Sequence, residues 1–164
     1  MLKKARQFAL CAHGEQLYGE LPYSVHLDAV ARILKPYGSA AIVIGYLHDV
    51  LEDTPVSETM IADQFGARIA RCVQLVSDPP GKTRRERKKQ ANARLAAIDQ
   101  DSEEALALVV KTADRLANLE ACIAGGNEEK LEMYLAEHDQ FVEAVYRPAL
   151  CEDLWKRIKR TIES

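Results

Sequence analysis

Apolar residues recur at three- and four-residue intervals along most of this chain, and no segment sustains the two-residue alternation of a half-buried strand. The pattern predicts a helix from Leu2 to about His13, ended by Gly14, and then a loop from Gly14 to Pro22 that holds two glycines and a proline. A second helix, Tyr23 to Leu34, would carry Val25, Ala29, Val30, Ile33 and Leu34 on one face, and Pro36 and Gly38 stop it. Ser39 suits the N-cap of a third helix, Ala40 to about Glu52. That helix is apolar on almost every side through Leu47, so it is expected to run through the centre of the protein.

Thr54-Pro55 ends it, Ser57 caps a short helix to Phe65, and Gly66 separates this from Ala67 to Val76. Asp78-Pro79-Pro80-Gly81 is a loop, followed by a helix from Thr83 to Ile98. Asp101 with Glu104 resembles a capping box for a long helix to Ile123, closed by Gly125-Gly126. Asn127 caps the next helix, and Pro148 suits the first turn of a last one ending near Ser164. The fold class is therefore all-α. With no repeat, low-complexity tract or second composition, residues 1–164 read as a single domain.

Composition narrows the function classes. A chain of 164 residues can bury roughly 70% of its unfolded surface, enough for a core without disulfides. The net charge of −3 calls for neither nucleic acid nor a membrane surface as partner. No apolar run approaches the ~20 residues that span a bilayer, and the stretch from Phe8 to Ala12 is too short for a signal peptide. Cys11, Cys72, Cys122 and Cys151 form no Cys-x-x-Cys pair and sit in apolar helical contexts, as reduced thiols of a cytoplasmic protein would.

Chemistry concentrates in Tyr46-Leu47-His48-Asp49-Val50-Leu51-Glu52-Asp53-Thr54. On one helix His48 and Glu52 are four apart, as are Asp49 and Asp53, so all four share one broad face. Three carboxylates at a helix C-terminus oppose the macrodipole and are costly to desolvate. A bound cation relieves both costs, while a solvated helix end with a core histidine is the alternative. His26 begins the second helix in an apolar neighbourhood. Lys111, Asp114 and Asn118 form a narrow polar stripe beside Leu106, Val109, Val110, Ala113 and Leu116, which would serve either as a solvent face or as the wall of a site.

The order Pro22-Tyr23-x-x-His26, Leu47-His48-Asp49-x-x-Glu52-Asp53-Thr54 and Lys111-x-Ala113-Asp114-Arg115-Leu116-x-Asn118-Leu119 resembles the HD-domain superfamily of metal-dependent phosphohydrolases. More narrowly it is similar to the hydrolase domain of the RelA/SpoT group, which includes small alarmone hydrolases of about this length. The resemblance runs from about Phe8 to Asn118. It implies an HD-domain helical bundle in which His26, His48, Asp49 and Asp114 bind one divalent ion, usually manganese. Glu52 and Asp53 would position or activate water, and Asn118 would contact the nucleotide sugar. The implied reaction removes the 3′-pyrophosphate from guanosine tetra- or pentaphosphate. Two imidazoles and two carboxylates suit Mn²⁺, Fe²⁺ or Zn²⁺ better than Ca²⁺. Lys111, Arg115 and Tyr18 are further candidate substrate-binding residues. Leu17 and Tyr18 stand where members of the group carry an Arg-Lys pair that meets the base. That departure keeps open an HD-type phosphatase of another nucleotide, and, in a different class, a catalytically silent nucleotide-binding module.

The basic stretch from Lys82 to Lys89 has two readings, a solvated face or an electrostatic lip that attracts phosphates. His13 and His138 are expected to be structural or solvent-facing.

Overall fold

The computed structural model describes residues 1–163, so only the last position of the expected C-terminal helix, Ser164, lies outside the described residues. Helices dominate in the order α1 (Leu2–His13), α2 (Ser24–Ile33), α3 (Ser39–Leu47), α4 (Val50–Asp53), α5 (Glu58–Phe65), α6 (Ala67–Val76), α7 (Arg84–Ala96), α8 (Ala105–Gly125), α9 (Glu128–Ala136), α10 (His138–Val145) and α11 (Glu152–Glu163). The first loop folds into a small antiparallel hairpin of β1 (Leu17–Tyr18) and β2 (Leu21–Pro22), with Leu17 opposite Pro22. Gly19 turns it with φ 64°, a left-handed conformation that costs a glycine little. None of the described helices is long and apolar enough to cross a membrane.

Two helices make the centre. In α3 the residues Ala41, Val43, Ile44 and Leu47 are all without exposure, as its all-round apolar pattern predicts. The long α8 packs against α2, α3, α6, α9, α10 and α11, and buries Leu108, Val110, Ala113 and Leu116 completely. Three of the cysteines are buried and Cys11 is exposed; all are free thiols.

Several local expectations are corrected. The buried face of α2 holds His26, Leu27, Val30 and Ile33, whereas Val25 is 44% exposed. The face is rotated, so that His26 points inward. Ser39 is the first residue of α3 rather than its side-chain cap, since Gly38 precedes it with φ 91°. The third helix does not continue to Glu52. It stops at Leu47, the His48 carbonyl lies 3.2 Å from the Ser77 hydroxyl, and the chain restarts as α4 after Asp49.

Asp101 and Glu104 form no capping box. The Asp99 side chain accepts from the Asp101 N–H instead, in a turn that precedes α8. A capping box does form one helix earlier, between Thr83 and Glu86. Ser57 and Asn127 cap as expected, accepting from the Met60 and Lys130 N–H groups. After Asn127 there are two helices, α9 and α10, divided at Glu137. Pro148 lies in a turn ahead of α11, with Ala149 and Cys151 at positive φ.

Candidate metal and phosphate site

His26 from α2, His48 and Asp49 from the break between α3 and α4, and Asp114 from α8 converge at the base of one pocket. The two Nε2 atoms are 3.2 Å apart. Asp49 Oδ2 lies 2.8 Å from His48 Nε2 and 3.7 Å from His26 Nε2. Asp114 Oδ1 lies 3.2 Å from His26 Nε2 and 3.5 Å from His48 Nε2. Ligand atoms from His26, His48 and Asp49 all fall within 4.8 Å of one another. Such spacings are those of neighbouring ligands around one ion held at about 2.1 Å from each.

The break after Leu47 makes this possible. It turns His48 into the core, 1% exposed, while Glu52 and Asp53 remain at the pocket rim instead of sharing one straight helical face. His48 Nδ1 donates to the Gly45 carbonyl at 2.6 Å, so Nε2 is the ring nitrogen that faces the carboxylates. Tyr23 donates its hydroxyl to Asp49 Oδ2, and Asn118 donates from Nδ2 to Asp114 Oδ1 at 2.8 Å.

Electrostatics favour a cation here. Burial alone would push the His48 imidazolium toward losing its proton, yet Asp49 and Asp114 outweigh burial and raise its pKa well above the ordinary value. Burial would likewise raise the Asp114 pKa. His48, the hydrogen bond from His26 and the Lys111 charge together hold it well below the usual carboxylate range. Both shifts say that the base of the pocket stabilises positive charge among acids. The donor set, two imidazole nitrogens and two carboxylates, fits a divalent transition ion.

The pocket has a volume of about 360 Å³. Glu52 and Asp53 line it from α4, and Gln16 Nε2 donates to Asp53 Oδ2 at 2.8 Å. Burial of the Glu52 carboxyl, although the side chain still reaches solvent, pushes its pKa up to about 7 against the pull of Lys111. The polar stripe of α8 is a site wall and not a solvent face: Lys111 is 7% exposed and lies 3.7 Å from Asp114 Oδ2. Arg115 is buried too, with its guanidinium over the Tyr134 and Phe141 rings and 3.4 Å from Glu137. Tyr18 stacks on His26 at 4.8 Å and 13°, and its hydroxyl donates to Asn118 Oδ1 at 2.7 Å. Tyr18 thus touches His26 directly, and Asn118 is engaged on both sides.

The basic stretch expected as either a solvated face or a lip also reaches the pocket, and so do residues of α9 that the sequence did not mark. The basic stretch divides: Arg84 and Lys88, four apart on α7, face inward, while Arg85 and Lys89 face an outer groove. Lys130 of α9 stands over the Tyr18 ring, and Tyr134 lies one turn further on. A basic i, i+4 pair was the available signal on α7; nothing local marked α9. His13 is buried, packs its ring at a tilt against Tyr23 and contacts Gln16, and His138 is partly buried outside the pocket; both agree with structural roles.

Comparison with known proteins identifies the family and the fold. A family model described as HD domain matches residues 5–142. A guanosine-3′,5′-bis(diphosphate) 3′-pyrophosphohydrolase of Aquifex aeolicus is 34% identical over 122 residues, covering 72% of this chain and 17% of that protein. One of Danio rerio is 32% identical over 126 residues, covering 73% of this chain and 67% of that one. The chain spans about a fifth of the length of the bacterial relatives it matches. A solved structure described as a metazoan ortholog of SpoT that hydrolyzes ppGpp superposes with a TM-score of 0.83 at 23% identity, over 99% of this chain and 93% of that one, a likeness of fold. Matched through most of its length, the chain belongs to the HD-domain family, in the group of the alarmone hydrolases.

Proposed function

We propose that this protein is a metal-dependent phosphohydrolase of a small phosphorylated nucleotide, acting as a guanosine-3′,5′-bis(diphosphate) 3′-pyrophosphohydrolase. The observation that carries the proposal is the convergence of His26, His48, Asp49 and Asp114 beneath a wall of cationic side chains. The named relatives act on this class of substrate, which supports the same reading here. Manganese is the proposed ion, with iron and zinc also suited to the donor set, and the cytoplasm is the proposed location. Residues 1–164 act as one HD-type unit in this reading.

When bound, the ion supplies Lewis acidity for the phosphoryl group and for the attacking water. The chain supplies the rest. Glu52 accepts the proton of the water, and Asp53, held by Gln16, orients it. Lys111, with Lys88 and Arg84 beside it, receives the phosphoryl oxygens. Asn118, Arg115 and Tyr18 complete the wall against the nucleotide.

A second reading has one observation in its favour. The Tyr18 hydroxyl already occupies Asn118, the group expected to meet the sugar, which suits an HD-type phosphatase of another nucleotide. The catalytically silent module fits less well, because Glu52 and Asp53 both border the pocket. A nucleotide panel assayed with Mn²⁺ and with chelator, products identified, decides among them. Pyrophosphate from a 3′-pyrophosphorylated guanosine is the expected result. Phosphate from 5′-monophosphates alone would replace it with the second reading.

A further inference from the structure

Behind the cationic wall stands Asp78, in the loop between α6 and α7. Its side chain is 7% exposed, and it borders the pocket only through its neighbours. Asp78 Oδ2 lies 2.6 Å from Lys88 Nζ, and Oδ1 lies 3.7 Å from Lys111 Nζ. Oδ1 accepts no hydrogen bond although it is buried. The Asp78 N–H donates to Glu52 Oε1. One residue outside the pocket therefore touches three side chains that line it, from α4, α7 and α8.

A buried carboxylate is costly unless paired, and the turn does not need it, since Pro79 and Pro80 follow directly. Its value lies in the two ammonium groups. The Lys88 and Lys111 side chains are only 20% and 9% exposed, and both belong to one wall. Like charges so placed repel, and a single carboxylate between them holds both in place. Lys111 is further fixed by donating to the Val76 carbonyl at 2.9 Å, whereas Lys88 has Asp78 as its close ion-pair partner.

We propose that Asp78 is a positioning residue, which sets Lys88 and Lys111 at the spacing where they receive phosphoryl oxygens. The proposal rests on the reading above that the pocket takes a phosphorylated ligand. Because Asp78→Asn removes a negative charge from behind the wall, simple charge counting predicts unchanged or tighter anion binding. Positioning predicts instead that Lys88 stops contributing as it did.

The test is a double-mutant cycle of Asp78→Asn with Lys88→Met, read as affinity for inorganic pyrophosphate by calorimetry in the presence of Mn²⁺. The expected result is a coupling of about threefold or more between the two substitutions. Additive effects would overturn the proposal. Asp78→Glu in the same cycle replaces Asp78→Asn if the latter does not fold, and is judged by the same coupling. In the hydrolysis assay Asp78→Asn should lower kcat about tenfold with a smaller rise in KM, as misalignment of oriented groups does. A raised KM at unchanged kcat would count against it. Coupling in a wild-type protein that hydrolyses no nucleotide would leave the positioning role standing and overturn the proposed activity alone.

Discussion

The distance between the two imidazoles is set by how closely α2 approaches α3, and Gly45 permits that approach. A Cβ at Gly45 would lie 2.5 Å from Leu34 Cδ1 and 3.4 Å from Val30 Cγ1. Carbon atoms rest comfortably at about 3.5–4.0 Å, so Gly45→Ala asks for a retreat of about 1 Å. Leu34 is fully buried and has little room to give, so part of the displacement passes into the separation of the two helices. Overpacking of this kind costs about 1–3 kcal/mol, and alanine regains about 1 kcal/mol over glycine in a helix interior. The net loss of about 0–2 kcal/mol lowers Tm by at most about 8 °C. The effect on the site is larger. The Gly45 carbonyl orients His48 and the far side of the same contact carries His26, while metal sites tolerate ligand shifts of only about 0.2 Å. Loss of such outer support lowers metal affinity about 10–100-fold. Calorimetric Mn²⁺ titration, with melting curves in parallel, should show a small stability loss beside a large affinity loss. Leu34→Ala in the same chain should restore affinity in part by making room. Wild-type Mn²⁺ affinity in Gly45→Ala would refute the link between helix approach and ligand geometry.

Three further outcomes are expected. Since the Glu52 pKa is raised to about 7, its proton-accepting form becomes the major one only above about pH 7, so hydrolysis should rise with pH through about 7 and Glu52→Gln should abolish activity; a pH–rate profile flat across neutrality would contradict this. Thr83→Ala removes one half of a capping box, at a cost of about 1 kcal/mol, and should lower Tm by about 2–4 °C in a melting experiment. Tyr18→Phe frees Asn118 Oδ1 and should lower KM for the nucleotide while costing about 0.5–1.5 kcal/mol of stability; a higher KM would mean that the hydroxyl itself meets the nucleotide.

Helix periodicity was enough to reveal the all-α class and the buried α3, because both depend on local apolar spacing alone. The meeting of His26, His48, Asp49 and Asp114 was expected from the order of the three motifs and the resemblance they carry, since the residues alone left a solvated helix end and a solvent face as alternatives. The helix break at His48 was not legible, because no glycine or proline marks it and the His48 carbonyl faces Ser77, 29 residues further along the chain. The inward turn of Lys111 was ambiguous for a similar reason, since its partner Asp78 lies on another segment. The division of the basic stretch into inward Arg84 and Lys88 and outward Arg85 and Lys89 required knowing where α7 packs. Lys130 and Tyr134 could not be found at all without the path of α9 across the pocket mouth. Long-range contacts, and not local propensity, decided each of these.

The most direct measurement is metal content by elemental analysis after saturation with Mn²⁺ and removal of excess. One ion per wild-type chain is expected, with loss of that ion in Asp114→Ala while the helical circular dichroism persists. A wild-type chain that retains no transition metal, or an Asp114→Ala chain that retains as much, would contradict the claim that α2, the break between α3 and α4, and α8 assemble one cation site.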